Sequence, residues 1–375
     1  MYKTYSLLIS LCLLMQQNLL AASDPVSGLE FTDLGGTLRI DGCTGVCPAN
    51  LTIPDTLASD PGKPVVEIAD DAFNAFGASS GILNTINLPS SLVTIGNQAF
   101  RDNNLTSVNL PSGVTTIGDN AFRGNNLNSV NLPNGLLNIG LDGFRENNLT
   151  SINLPNTLTS IGTRAFINNS LTSVNIPSSI TTFGVQIFQS NNISSFTLPS
   201  NMTHIPEEIF ASNPLINLSI PSHITSIGNQ AFANTSLNSL TLNEGLEDIG
   251  VASFGNNQLT TLTIPASVTT IQNFAFSFNS LTTVHFDGTR PTLTDTDPLA
   301  SFGNNPGLAT ITYYIGNSGW PGSDISGITP TGIGFPASTS GAQAVPSMST
   351  TSLMALSVML LLLGWRSHRT KRSPV

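Results

Sequence analysis

The sequence predicts a solenoid of stacked units, with a parallel β-sheet along one face and turns with short helical segments along the other. One observation is a constant period of 22 residues between phenylalanines, which stand at positions 100, 122, 144, 166, 188, 210, 232, 254 and 276. A second is proline in the same period, at positions 89, 111, 133, 155, 177, 199, 221 and 265. A fixed period of this length indicates a repeat architecture.

The unit at residues 105–126 shows how each repeat would fold. The apolar and polar residues alternate up to Leu110, which is typical of a short strand. Pro111 then ends the strand because it has no N–H for a sheet. Gly118 permits a turn that carries Phe122 inward. One unit cannot bury its apolar side alone, so about nine 22-residue repeats are expected to stack around a shared core.

Two further positions of the repeat hold the same polar residue in successive units. Asparagine recurs at 103, 125, 147, 169, 191, 213, 257 and 279, with Thr235 as the interruption. We interpret these asparagines as a buried ladder that satisfies backbone groups, with ligand binding as the alternative. Arg101, Arg123 and Arg145 would form a short basic stripe near Asp102 and Glu146. It is either an anion site or a solvated edge with weak ion pairs.

The complete unit, Leu-x-x-Val-x-Leu-Pro-x-x-Val-x-x-Ile-Gly-x-x-Ala-Phe, resembles the BspA-like leucine-rich repeats of bacterial, including treponemal, surface proteins. The resemblance covers residues 83–286, over half of the chain. It departs from the family in two respects: family units are usually one residue longer, and they often carry cysteine where asparagine stands here. The resemblance implies a leucine-rich-repeat solenoid and a role in adhesion or display. A fold alone does not settle a ligand.

The domain boundaries follow from the repeat and from composition. Residues 325–345 are rich in Gly, Ser, Thr, Pro and Ala, which is typical of a flexible stalk. The predicted segments are a signal peptide at 1–22, an N-terminal cap with a disulfide loop at 23–82, the solenoid at 83–286, a C-terminal cap at 287–324, the stalk, and a sorting or transmembrane segment with a basic tail at 346–375.

Both ends of the chain predict export. A positive start, an apolar run from Leu7 to Met15 and small residues near Ala22 are typical of a secretory signal peptide. At the other end, apolar residues 353–365 precede a basic cluster, and this tail resembles envelope-sorting signals of the Ile-Pro-Thr-Leu type. The resemblance implies envelope-sorting machinery as a partner, with residues 353–365 in the membrane before any processing. The alternative is a C-terminal membrane anchor. Either places the solenoid at the cell surface or outer envelope, or secretes it after processing.

Charge and cysteine content narrow the class of protein further. The formal net charge of −10 disfavours nucleic-acid binding, which needs a basic footprint. Cys43 and Cys47 are four residues apart in a chain predicted to be exported, so a small disulfide loop is the simplest interpretation. A metal site and free thiols are the alternatives, and the neighbouring sequence supplies no further histidine or cysteine ligand.

The candidate binding surface is the solvent side of the predicted strands. Alternate residues there are polar and uncharged, which suits hydrogen bonding to an extracellular protein or glycan. A merely solvated sheet face explains the same pattern. Thr and Asn columns also suggest ice binding, although strict Thr-x-Thr rows are found at few positions. The candidate residues are Ser107, Asn109, Ser129, Asn131, Ser151, Asn153, Ser173 and Asn175.

The sequence does not predict an enzyme, a cofactor or a metal site. The four histidines fall at different positions of the repeat or in the tail, so no constellation of activated groups is expected. Gly77-Ala-Ser79-Ser-Gly81 matches a nucleophile-elbow pattern but lacks its strand-to-helix context. Asp295 and Asp297 offer too few ligands for calcium. The functional hypotheses are therefore a surface adhesion or binding module and, alternatively, a structural coat or matrix component without a specific ligand.

Overall fold

The computed structural model describes residues 22–76, 81–293, 301–314, 319 and 330–333. Over these residues the chain is a β-solenoid, and each 22-residue unit adds one turn, called a rung below. Every complete rung has a strand position on a first face, a two-residue strand on a second face, and a turn segment on a third face. The solenoid predicted from the repeat is confirmed.

The first face carries short parallel strands that pair in register at a spacing of one repeat. Val108, for example, pairs with Val130, and both are buried between exposed polar neighbours. This alternation puts one side of each strand in the core and the other in solvent. The strands of this face are Asn50–Thr52, Thr85–Asn87, Ser107–Asn109, Ser129–Asn131, Ser173–Asn175, Ser195–Thr197, Asn217–Ser219, Ser239–Thr241, Thr261–Ile264, Thr283–Phe286, Thr310–Tyr314 and Thr331–Ile333.

The second face forms two parallel sheets from two-residue strands. The first sheet continues the N-terminal cap through Thr94–Ile95, Thr116–Ile117, Asn138–Ile139, Ser160–Ile161 and Thr182–Phe183. The second sheet contains His204–Ile205, Ser226–Ile227, Asp248–Ile249, Thr270–Ile271 and Thr292–Leu293. Within each sheet the isoleucine column (the same position in successive rungs) points inward and is buried almost completely.

The third face is a hydrogen-bonded turn, and the short helical segments expected there are not found among the described residues. Asn120 and Gly124 have φ of 57° and 69°, and most rungs repeat this pair of left-handed residues four apart. The backbone N–H of Phe100 donates to the Ala121 carbonyl at 2.8 Å, and that of Phe122 to the Gly143 carbonyl at 2.9 Å. Alternate N–H groups therefore donate to carbonyls of the next rung. In an α-helix each would instead donate to the carbonyl four residues earlier in the chain.

The core is a continuous stack of phenylalanine rings. Ring centroids of Phe100 and Phe122 are 5.3 Å apart with an interplanar angle of 13°, and the stack continues to Phe302. Each ring from Phe100 to Phe276 in this column is buried. Because aromatic area dominates core energetics, this stack is the main packing contact between rungs.

The asparagine column has the predicted structural role. The Asn125 Oδ1 atom accepts from the Leu105 N–H at 3.1 Å, and its Nδ2 donates to the carbonyls of Phe100 at 2.8 Å and Phe122 at 3.0 Å. Asn125 is only 5% exposed. One side chain thus joins backbone groups of two successive rungs, which would otherwise be buried without partners.

The N-terminal cap covers the first rung with mostly antiparallel strands. Leu29–Asp33 pairs antiparallel with Leu38–Cys43, which then pairs parallel with Asp60–Ile68 and so passes into the second face. A disulfide joins Cys43 and Cys47, whose Cα atoms are 5.5 Å apart. The remaining strands of the cap are Ala22–Ser23 and Thr56–Leu57.

The two sheets of the second face are separated at Pro206. The repeat has glycine at this position in most rungs, because a Cβ on Gly184 would lie 2.2 Å from the Thr163 nitrogen of the preceding rung. The N–H of Gly184 also donates to Ile161 at 2.8 Å, and proline has no such donor. Gln272 occupies the same position and still donates to Ile249 at 2.9 Å, so the missing N–H, rather than a side chain alone, accounts for the break.

A second proline acts in the same rung, on the first face. Asn192 and Ser236 each donate a backbone N–H to the preceding rung, to Leu171 at 2.9 Å and to Leu215 at 3.0 Å. Pro214 stands between them in this column and cannot donate. The third face nevertheless stays bonded, since the N–H of Phe188 donates to Ile209 at 3.1 Å. The rungs therefore separate on two faces while the third holds them together.

Several predictions lie outside the described residues. These are the signal peptide apart from its last residue, the nucleophile-like Ser79, the Asp295 and Asp297 pair, cap residues 294–300, 315–318 and 320–324, the stalk apart from residues 330–333, and the tail with its apolar segment 353–365. Within the segment predicted to be a flexible stalk, Thr331–Ile333 is a strand that pairs in parallel with Thr310–Tyr314. In the part of the chain that the structure describes, no helix has the length and apolar character needed to cross a membrane.

Candidate binding surfaces

The candidate residues of the first face form two exposed columns. Ser107 pairs with Ser129 and Asn109 with Asn131, and Ser173 and Asn175 pair in the same way with the next rung. Ser151 and Asn153 are exposed in the same columns but lie outside any strand. The structure therefore brings all eight predicted residues onto one surface, six of them in paired strands.

Neighbouring side chains of this face bond along the columns rather than across them. The Asn87 amide donates to the Thr52 hydroxyl at 3.1 Å, and the Thr85 hydroxyl donates to Asn50 at 2.9 Å. Thr197 donates to Asn175 in the same manner. Hydroxyl and amide groups both donate and accept, so the surface offers mixed hydrogen-bonding partners without fixed charge.

A shallow cavity of about 310 Å³ interrupts the first face between Ser195–Thr197 and Asn217–Ser219. Its apolar side includes Phe196, which stands where Val108 and most other rungs have a smaller residue. The Phe196 ring stacks on Phe210 at 4.0 Å and is only partly buried. The polar face therefore contains one local apolar depression, next to the rung that carries Pro214.

The arginine stripe is an ion-paired edge. Arg101 lies 3.1 Å from Asp102 and Arg145 lies 2.9 Å from Glu146. Arg123 also faces Glu146, at 3.5 Å. These guanidinium groups already have carboxylate partners, which matches the solvated-edge interpretation rather than an anion site.

A larger groove of about 860 Å³ opens on the second face at the break beside Pro206. Phe183 and Val185 form its apolar wall, and Val185 is 37% exposed. Most of its polar lining comes from the rungs that follow the break, and includes His204, Glu207, Asn229, Asp248 and Gln272. This groove was not predicted from the sequence. Two features of the sequence could have indicated it. Pro206 stands at a position where most repeats have glycine, and His204 stands at a position where the other repeats have Thr, Ser, Asn or Asp.

The floor of the groove is electrically distinct from the first face. The His204 Nδ1 atom lies 2.7 Å from the Ser226 hydroxyl, and partial desolvation by the groove lowers the pKa of His204 from its usual value. His204 is therefore mainly neutral at pH 7. Glu207 and Asp248 supply carboxylates, and no lysine or arginine is found among the described residues that line the groove.

Within the ranges that the structure covers, no three His, Cys, Asp or Glu side chains are grouped as a metal site would require. The described part of the molecule instead offers one long polar face and one groove, both built on regular strands. These features define the class of protein as a leucine-rich-repeat solenoid, a class whose extended surfaces bind partners.

The family follows from comparison with known proteins. The BspA type leucine rich repeat region matches in six copies over residues 66–193 and 203–314, so the chain belongs to this family. The matched residues leave out 194–202, the stretch that leads into Pro206. No curated protein matches the chain.

Solved structures share the fold. A leucine-rich repeat protein from Bacteroides ovatus is 21% identical, with a TM-score of 0.57 over 76% of this chain and 70% of that chain. The pneumococcal vaccine antigen PcpA is 22% identical, with a TM-score of 0.56 over 78% of this chain and 81% of that chain. At such identities the likeness concerns the architecture, and the ligand must be argued from the surfaces.

Proposed function

We propose that this protein is an exported surface protein that binds an extracellular protein or glycan through its polar first face. The observation that carries the proposal is the pair of exposed, uncharged columns in register, as at Ser107 with Ser129 and Asn109 with Asn131. Their spacing of about 4.8 Å repeats along the solenoid and presents the same groups many times. A repetitive ligand surface can use every rung, so weak individual contacts sum to useful avidity.

The absence of charge in the proposed face sets the expected mode of binding. Hydroxyl and amide columns form hydrogen bonds that depend little on salt, whereas a charged interface loses attraction as salt is raised. The depression beside Phe196 would seat an apolar group of the partner, because partly buried aromatic anchors concentrate binding energy. The proposed activity is non-covalent binding and involves no catalytic step.

The test replaces Ser151, Asn153, Ser173 and Asn175 together with arginine and measures binding of the purified protein to glycans, matrix proteins and whole cells. We expect saturable binding that the substitutions abolish, while circular dichroism and Tm stay near the parent values. The control is Asn138→Arg, a change at an exposed position of the second face. Binding that survives the fourfold change, or no binding to any probe, contradicts the proposal and favours a structural coat role.

Export and envelope sorting are part of the same proposal and rest on residues 1–22 and 346–375. Deleting the tail should release the protein into the medium if it is a sorting signal or anchor. Fractionation of cells and medium by immunoblot measures this. A tail deletion that leaves the distribution unchanged contradicts the sorting proposal without affecting the binding face.

A further inference from the structure

The groove at Pro206 arises from a local failure of rung-to-rung pairing. In flanking rungs the N–H of Thr181 donates to Thr159 at 3.0 Å, and that of Thr225 donates to Thr203 at 2.8 Å. Among the described residues, no such bond joins Thr203 to Thr181. The Thr181 carbonyl and the Thr203 N–H thus face the gap, and backbone groups of this kind favour a polar occupant.

The core opens slightly at the same level. The Phe188 and Phe210 centroids are 5.9 Å apart and those of Phe210 and Phe232 are 6.0 Å apart, compared with 5.3 Å for Phe100 and Phe122. The third face remains bonded through Gln186, whose N–H donates to Glu207 at 2.9 Å. The break is therefore a wedge that is closed on the third face and open on the first and second faces, and Pro206 removes the backbone donor on the second face.

The groove has the size and the lining of a ligand site. Its volume of about 860 Å³ lies inside the range of roughly 300–1,000 Å³ usual for small-ligand sites. From Phe183 to Gln272 it crosses four rung spacings, or about 19 Å at ~4.8 Å each. The partly buried Phe183 and the amides and carboxylates of the later rungs line the groove together, and they offer both apolar contact and orienting hydrogen bonds.

Charge selects the class of ligand. Glu207 and Asp248 repel phosphate, sulfate and carboxylate groups, and no cation among the described lining residues offsets them. Neither carboxylate accepts a hydrogen bond from another described side chain, so both retain acceptor capacity for ligand hydroxyls. Gln272 and Asn229 add amide groups. These carboxylate and amide groups, together with Phe183, suit an elongated ligand that carries many hydroxyl donors and has apolar faces. An oligosaccharide has these properties.

We infer that the groove is a binding site for a neutral oligosaccharide, with one sugar ring packed on Phe183 and its neighbours hydrogen-bonded to Glu207, Asp248 and Gln272. This site lies on the second face and is separate from the proposed first-face surface. A cationic peptide is the competing occupant. Glu207 and Asp248 would be enough to attract a cationic peptide. Phe183 and the amides would have no role in such a site, so their presence favours the sugar.

The test titrates the full purified protein by calorimetry with neutral tetrasaccharides of differing linkage, a uronic-acid tetrasaccharide and tetralysine. We expect at least one neutral tetrasaccharide to bind, with little dependence on salt, and the uronic-acid probe to bind at least about tenfold more weakly. Phe183→Ile, which restores the residue of the neighbouring rungs, should weaken neutral-sugar binding about tenfold with folding intact. Asp248→Asn and Glu207→Gln should each weaken it as well.

Two further variants make the outcome decisive. Pro206→Gly restores the usual donor and should close the wedge, raising Tm while abolishing sugar binding. Glu247→Gln removes a charge next to Asp248 but outside the groove, and should leave binding unchanged. The inference is overturned if no neutral tetrasaccharide binds, if binding survives both Phe183→Ile and Pro206→Gly, or if only tetralysine binds and does so in a salt-sensitive way. Substitutions on the first face should not alter this binding, so the experiments test the first-face proposal and the groove proposal independently.

Discussion

Asn257 bonds to the rung before it where Thr235, in the same column, does not. The Asn257 Oδ1 atom accepts from the Leu237 N–H at 3.0 Å, and its Nδ2 donates to the Phe232 carbonyl at 3.0 Å. The single hydroxyl proton of the shorter Thr235 is shared between the Phe232 carbonyl, at 3.2 Å, and the Asn257 side-chain oxygen, and among the described residues Thr235 makes no bond to Leu215. The asparagine ladder therefore has one gap, in the rung that follows Pro214.

Replacing Thr235 with asparagine should close this gap. The new side chain would accept from Leu215 and donate to the Phe210 carbonyl, as its counterparts do. The Leu215 N–H already donates to the Asn213 carbonyl at 2.9 Å, so the net gain is the one bond to Phe210. The free energy of unfolding should therefore rise by about 0.5–1.5 kcal/mol. Urea denaturation measures the change. An unchanged or lower midpoint would show that the Pro214 rung cannot accept the standard geometry.

Removing a ladder asparagine should have the opposite effect. Asn147 accepts from Leu127 at 3.0 Å and donates to Phe122 at 2.9 Å and Phe144 at 3.1 Å. Asn147→Ala leaves these buried backbone groups without partners and should cost about 2–4 kcal/mol. The exposed Asn148→Ala is the matched control and should change stability by less than about 0.5 kcal/mol. Equal effects at the two positions would contradict a structural ladder.

Truncating one ring of the phenylalanine stack should destabilise the whole array. Phe144 is buried and its ring lies 5.4 Å from Phe122 and 5.5 Å from Phe166. Phe144→Ala removes contacts with both neighbours and should lower the free energy of unfolding by about 3–5 kcal/mol. Phe144→Leu, which fills more of the space, should cost less. Thermal and chemical denaturation check both values, and a cost below 1 kcal/mol for the alanine variant would be inconsistent with this packing.

Glycine should stabilise the third face at positions with left-handed backbone. Ala252 has φ of 50°, and a non-glycine residue there costs about 1–2 kcal/mol. Ala252→Gly relieves this cost but adds about 0.5–1 kcal/mol of backbone entropy, so a small net gain is expected. Ala231→Gly, at a buried position outside the left-handed set, should instead destabilise the protein. A loss at both positions would contradict the αL assignment of the turn.

The N-terminal cap should lose stability in acid through Asp24. Hydrogen bonds from the Ser27 hydroxyl at 2.6 Å and the Ser27 N–H at 2.7 Å lower the pKa of Asp24 to about 2. A carboxylate whose pKa is depressed on folding stabilises above its unfolded value and loses that contribution as pH falls through the folded value. Asp24→Asn should therefore lower Tm at pH 7 but have little effect near pH 2. Equal effects at both pH values would refute a role for the ionised carboxylate.

The sequence alone determined the repeat length, the core columns and the structural role of asparagine. Phe122 and Ile117 recur at a fixed spacing, and such spacing reports which side chains meet when equal units stack. The exposed polar columns that include Ser107 and Asn109 could also be predicted from the sequence, since successive side chains of a strand alternate between core and solvent. These properties depend on one unit and its copies, so they are visible without a structure.

Tertiary structure decided the third face and the groove. The pattern around Asn120 fits a helical turn and a left-handed turn equally well, and only the neighbouring rung determines where the N–H groups donate. Pro206 likewise looks like a minor variation in its own unit. Its effect appears only across the gap to Phe183, because the N–H that proline lacks would donate to the Phe183 carbonyl of the previous rung, as Gly184 donates to Ile161.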